Sequence, residues 1–244
     1  MIYRTLLLLL VICLCSPLPG HQSATDNNSF DPIVGDKTFS MVMTVTSTKK
    51  NGKVQVATMR LGAMPDHFAM IVMDDEQGAV SQMIYNTEDD KTTMITTDKK
   101  GRKQGFRMRM PKIGKTVAEK AEEMSEYITF TRTGERKTID GYDCEKIIVT
   151  DSKHNTTTES WVTQDIDLSY AEVFGGIANL SGVGKQQFQL PGGTEAPIEG
   201  FLIQSFTDDG KSITETHITD IRLGDDIDRS LFDTQGVTIQ ELGF

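Results

Sequence analysis

Cysteine is scarce in this chain of 244 residues: there are three, and two of them, Cys13 and Cys15, lie in the first two dozen positions. Loss of that segment would leave only Cys144, so no internal disulfide could form and stability would rest on packing alone. Histidine is also sparse. His21, His67, His154 and His217 never fall within four residues of one another, which excludes zinc-type ligand spacing. Aromatic residues make up 7% of the chain with a single tryptophan, Trp161, too few for the stacking platform of a carbohydrate cleft. Positive charge is in deficit as well, 25 Lys and Arg against 35 Asp and Glu, and a surface with a formal net charge of -10 is expected to repel both nucleic acid phosphates and anionic lipid headgroups. Long apolar runs are missing beyond Leu6 to Cys15, about ten residues and half of what a membrane-spanning helix needs.

That one apolar run follows Arg4 and precedes the helix-breaking Ser16-Pro17-Leu18-Pro19-Gly20, the order of a secretory signal peptide. Residues 1–24 therefore read as a leader with no transmembrane anchor, and 25–244 as a single exported domain, periplasmic or secreted. Ile12 precedes Cys13 and Leu14 precedes Cys15, where a bacterial lipoprotein signal requires a small residue.

Threonine is abundant, 29 in all, and favours strands. Phe39 to Thr46 and Val54 to Leu61 alternate around Asn51-Gly52, a strong hairpin signal. Further strands are expected at His67–Met73, Val80–Asn86, Thr92–Thr97, Phe106–Met110, Tyr127–Arg132, Cys144–Thr150 and Thr158–Thr163, with a closing hairpin over 200–207 and 212–221. Val117, Ala121 and Met124 are spaced for one face of a short helix over 115–125, and a second helix is expected from the Ser169 cap to about Asn179. The resulting expectation is a mainly β fold: a strongly curved antiparallel sheet, an open or half barrel of about ten or eleven strands, covered by one or two short helices.

All eleven non-initiator methionines fall between Met41 and Met124. Alternation puts Met41 and Met43 on one face with Phe39 and Val45, and Met108 and Met110 on one face with Phe106. Met41, Met43, Met59, Met70, Met108 and Met110 are the residues expected to line an apolar site, because unbranched thioethers mould to an irregular guest. The competing reading is an ordinary methionine-filled core. Thioether binding of Cu(I) is weaker still, since no His or Cys accompanies these methionines at ligand spacing.

Other motifs carry less. Ser181-Gly182-Val183-Gly184-Lys185 fails as a phosphate loop, with Asn179 where the first glycine belongs and Gln186 after the lysine. Asp74-Asp75-Glu76, Glu88-Asp89-Asp90 and Asp225 to Asp228 lack the glycine and distal glutamate of a calcium loop. No Gly-x-Ser-x-Gly elbow occurs, and an enzyme would require His67 or His217 to meet a carboxylate in space. No cofactor is indicated.

The segment Thr138-Ile139-Asp140-Gly141-Tyr142-Asp143-Cys144-Glu145-Lys146-Ile147-Ile148-Val149, followed by Thr158-Glu159-Ser160-Trp161-Val162-Thr163, resembles the exported bacterial proteins, many from Bacteroidetes, grouped as domain of unknown function 4412. The upstream runs Met83 to Asn86 and Lys91 to Met94 are similar to that family's succession of short strands. The resemblance implies a fold like that of periplasmic lipoprotein carriers, a curved sheet closed by helices over an apolar cavity, and implies no catalytic residues. Two functions from different classes follow. One is a monomeric, non-enzymatic carrier or sensor of a lipid, acyl chain or lipoprotein; the other is a structural module with a closed core and an envelope protein as partner.

Overall fold

In the computed structural model, residues 37–74, 79–109, 127–168, 173 and 200–242 are described. The strands run β1 (Phe39–Lys49), β2 (Val54–Met64), β3 (His67–Asp74), β4 (Ala79–Asn86), β5 (Lys91–Thr97), β6 (Lys103–Met108), β7 (Ile128–Ile139), β8 (Tyr142–Asp151), β9 (Thr156–Thr163), β10 (Phe201–Asp208), β11 (Ser212–Leu223) and β12 (Ile239–Glu241). All belong to one sheet in the order β12-β6-β5-β4-β3-β2-β1-β11-β10-β9-β8-β7. The sheet is open, its ends β12 and β7 unjoined, and each sequence-adjacent hairpin pairs with itself as the turn signals require.

Eleven of these strands are those anticipated. The twelfth, β12, was not: three residues near the C-terminus pair in parallel with β6, Ile239 opposite Gly105 and Glu241 opposite Arg107. β7 is also longer than its apolar alternation suggests. The strand expected to end at Arg132 continues to Ile139 through a bulge at Thr133-Gly134-Glu135, where the register slips between Arg132 and Arg136 and Gly134 takes φ +73°. The helix expected over 115–125 lies outside the described residues, as does all of the second helix except Val173, which is helical and wholly buried.

Alternation along β1 sets the two faces. Phe39, Met41, Met43 and Val45 are buried on the inner face, in one core cluster with Leu61, Phe68, Trp161, Phe201, Ile203 and Ile218. On the outer face a smaller cluster joins Ala69, Ile71 and Ile84 to Leu231. Leu231 belongs to a C-terminal strap containing two short 3-10 turns, Gly224–Asp226 and Arg229–Phe232. Polar contacts fasten the strap across β1, β2 and β4. The Asp228 backbone N–H donates to Ser40 Oγ at 3.0 Å, Arg60 pairs with Asp228 and donates to Ser230 Oγ at 3.1 Å, and Gln82 Nε2 donates to the carbonyl oxygens of Leu231 and Asp233.

Candidate ligand-binding face

Cross-strand register turns isolated methionines into a continuous array. Met43 lies opposite Met59 across β1 and β2. Met41 lies opposite Leu61, Leu61 opposite Met70, Met70 opposite Met83, Met83 opposite Met94, and Met94 opposite Phe106, so one row crosses six strands. The next row runs Phe39, Ala63, Phe68, Tyr85, Thr92, Met108. Met41, Met43, Met59, Met70 and Met108 therefore share the inner face as expected, and Met110 lies outside the described residues. Met83 and Met94 join them, although sequence reasoning did not single them out. The available signal was their i, i+2 spacing to Tyr85 and Thr92, which becomes informative only when the pairing is known. Met64 and Met73 alternate to the outer face.

Burial grades across this array. Met41, Met43, Met59 and Met70 are 2%, 4%, 8% and 9% exposed and pack in the same cluster as Ile166, Leu168 and Val173. Met83, Met94 and Met108 keep partial exposure. The half of the face on β1–β3 is thus a closed core, and the half on β4–β6 remains in contact with solvent.

Two polar groups sit at one margin of the accessible half. Tyr85 is 5% exposed, and its hydroxyl donates to Asp90 Oδ1 at 3.1 Å; burial first, then the Asp90 carboxylate, pushes the phenol up to about 12. Thr92, directly opposite Tyr85, is fully buried, and its Oγ1 has no hydrogen-bond partner. A buried hydroxyl left unmade is costly, and a carbonyl or hydroxyl brought alongside would satisfy it.

The model of the family described as domain of unknown function (DUF4412) matches residues 36–234. The chain belongs to the DUF4412 family. None of the curated proteins matches its sequence. Among solved structures, this DUF4412 chain is similar to PNGF-II at 14% identity and TM-score 0.35, over 84% of this chain and 31% of that one, so it spans about a third of that protein's length. A LolA-superfamily protein from Nitrosomonas europaea matches at 9% identity and TM-score 0.32, covering 82% of this chain and 91% of the other. MucB in complex with MucA(peri) matches at 12% identity and TM-score 0.34, covering 84% and 56%.

The hairpin that carries the DUF4412 resemblance is architectural in this structure. Asp140 and Gly141, both at positive φ (+51° and +90°), form the two-residue turn between β7 and β8. Cys144 then enters the core, where burial pushes its thiol up, away from the thiolate a nucleophile needs. Lys146 lies opposite Trp161 with Nζ 5.7 Å from the ring centroid and pairs with Glu159 at 2.8 Å, while Lys137 Nζ stands 4.0 Å from the same ring. The two ammonium groups roof the tryptophan, which is 4% exposed.

Both histidines named as possible bases do meet carboxylates. His217 Nε2 is 2.6 Å from Asp140 Oδ2, and His67 Nδ1 is 3.0 Å from Asp66 Oδ2, a contact that holds the Asp66 carboxyl below its usual range. Among the described residues no serine, threonine or cysteine hydrogen-bonds to either imidazole, so each pair lacks the nucleophile that triad chemistry needs. Among the same residues no group of three His, Cys, Asp or Glu is placed to hold a metal ion.

Proposed function

We propose that this protein is an exported, non-enzymatic binding protein that holds an acyl chain, as free lipid or as part of a lipoprotein, against the methionine face of its sheet. The observation supporting this reading is the graded array. Seven thioethers share one face of six strands, and the three on β4–β6 are the ones left partly exposed. Flexible, polarizable side chains on a rigid scaffold suit an apolar guest of variable shape better than a fixed jigsaw core does. The energy is adequate without any charged contact. At about 0.8 kcal/mol per buried methylene, a dozen methylenes contribute about 10 kcal/mol gross, and subtraction of the association cost leaves affinities around the micromolar range.

The decisive measurement is native mass spectrometry of the mature chain purified without detergent, with solvent extraction of anything retained. A discrete added mass that extracts as lipid is expected. In parallel, Met94→Asp/Met108→Asp should lose at least tenfold in affinity for a fluorescent fatty acid, since each change places a carboxylate where a methyl group would rest. These sites keep partial exposure, so the variant should fold, as near-ultraviolet circular dichroism would show. A folded variant that binds the probe like the parent would refute the site.

The near-complete burial of Met41 and Met43 favours a second reading, in which the inner face is an ordinary core and the protein is an envelope module with a protein partner. A bare mass and no uptake of the probe would establish that reading instead.

A further inference from the structure

Net charge conceals a segregation that the topology creates. In an antiparallel meander, alternate connections lie at the same end of the sheet. Connections 50–53, 98–102, 152–155 and 209–211 share one end, and their ionisable side chains sum to +5. Subtracting Asp75 and Glu76 of the β3–β4 connection, outside the described residues, still leaves +3. At the opposite end, connections 65–66, 87–90 and 140–141, residues 164–168 of the β9–β10 connection and 224–228 contain ten carboxylates, and with the adjoining Lys37 and Arg109 their sum is -8.

The basic end has two further properties. Lys50, Lys53, Lys99, Lys100 and Lys211 are exposed, and among the described residues none of them makes an ion pair. The β1–β2 and β10–β11 tips also touch, Lys50 N–H donating to the Lys211 carbonyl at 3.2 Å, so their lysines form one cluster. Beside this cluster, on the outer face, Val54 and Ile213 flank Thr48 across three adjacent strands, 52% and 54% exposed, with Val56 two residues further along at 44%.

We infer that this end of the sheet docks on an anionic phospholipid surface. Unpaired lysines around exposed aliphatic side chains are what an interfacial site requires: ammonium groups at the headgroups and short apolar side chains at the acyl boundary. A protein–protein hot spot would instead be expected to present buried aromatic or arginine anchors; the apolar part of this patch is aliphatic, and at the same end Arg102 is committed to Asp98 and Tyr127 lies under Lys153. The acidic end does not prevent docking. β1 is 11 residues long, roughly 36 Å, so the two ends are separated by more than three Debye lengths at 0.1 M salt. The bilayer therefore responds to the near end, and the net charge of the whole chain is the wrong quantity to use. This inference does not depend on the methionine face binding anything.

Flotation of the full mature chain with vesicles tests it. Vesicles of phosphatidylcholine with about a third phosphatidylglycerol should carry the protein at 20 mM NaCl; pure phosphatidylcholine vesicles, or the same anionic vesicles at 500 mM NaCl, should carry far less. Lys50→Glu/Lys211→Glu should weaken binding at least about 25-fold, at roughly fivefold per lysine. Arg222→Glu/Arg229→Glu, at the acidic end and in the strap, makes the same change in net charge and should leave binding within about twofold. In Ile213→Trp, the new indole should blue-shift on anionic vesicles. Absence of flotation at low salt, equal loss in both double variants, or an unshifted Ile213→Trp emission would each overturn the inference.

Discussion

Gly62 is the point where the C-terminal strap meets the sheet most closely. A Cβ placed there would stand 2.6 Å from Leu231 Cδ1, 3.2 Å from the Phe39 carbonyl oxygen and 3.5 Å from Phe232 Cζ. Gly62→Ala therefore forces the strap outward. Overpacking of this kind costs about 1–3 kcal/mol, reduced by the 0.5–1 kcal/mol that alanine regains over glycine in a strand, for a net loss of about 1 kcal/mol. Leu231→Ala removes a side chain that is 1% exposed and should cost about 2–4 kcal/mol, toward the lower part of the usual range because the strap can settle into the space from one side. The two effects must not add. The methyl group introduced by Gly62→Ala would occupy volume that Leu231→Ala vacates, so the double variant should be at least about 1 kcal/mol more stable than the sum of the singles predicts. Urea denaturation followed by the emission of the single, buried Trp161 measures all four corners of the cycle. Additivity within about 0.5 kcal/mol, or a neutral Gly62→Ala, would mean that Leu231 does not lie over Gly62 and that the strap is not docked as described.

Tyr85 makes stability depend on alkaline pH with a definite sign. The folded protein holds this proton up to about 12, whereas the unfolded chain releases it near 10, so its contribution is intact below pH 10 and is lost as pH rises from 10 through 12, by up to about 3 kcal/mol. Tyr85→Phe should flatten that part of the pH–stability curve, and an unchanged slope would contradict the assignment. Cys144 should resist an aromatic disulfide reagent in the native state and react in step with unfolding, because it is fully buried and burial disfavours its thiolate; prompt stoichiometric labelling of folded protein would refute this.

Strand positions were legible because period-two alternation and turn residues are local. Phe39 to Val45 announces an inner face, and Asn51-Gly52 announces the turn that follows. What escaped was non-local. Met83 and Met94 each sit singly on their strands, and only the pairing of Met83 with Met70 and Met94 assigns them to a shared surface. β12 is three residues in parallel pairing, too short to carry an alternation signal, and the strap shows only Ile227, Leu231 and Phe232 as apolar points between its charged and polar residues. The meeting of His217 with Asp140 spans 77 residues and depends on how β11 and the β7–β8 turn lie across the sheet. The charge segregation is the clearest case: a net charge of -10 is correct and uninformative until strand order sorts the turns into two ends.

The treatment of edges and faces narrows where exchange with the surroundings can occur. An open sheet has two edges that invite pairing with other chains. β12 covers part of the β6 edge, and its Glu241 pairs with Lys91 at 3.1 Å. On the β7 edge, the bulge at Thr133–Glu135 breaks the ladder, and Arg132, Glu135, Arg136 and Lys137 lie exposed along it, the pattern that blunts edge-to-edge association. The strap occupies the outer face over β1–β4. On the binding reading, the inner face of β4–β6 is therefore where a guest arrives, and its methionines remain partly exposed while those of β1 and β2 are closed in. The basic turn between β5 and β6 closes the same hairpin that carries Met94 and Met108. Docking of that end on a bilayer would bring this hairpin, with Met94 near its middle and Met108 at its far end, upright on the lipid–water boundary, so uptake from anionic vesicles should be faster than from neutral ones at equal probe content. Lys50→Glu/Lys211→Glu should abolish the difference without changing the affinity for probe in solution; a rate that ignores vesicle charge would show that docking and uptake are separate properties of the fold.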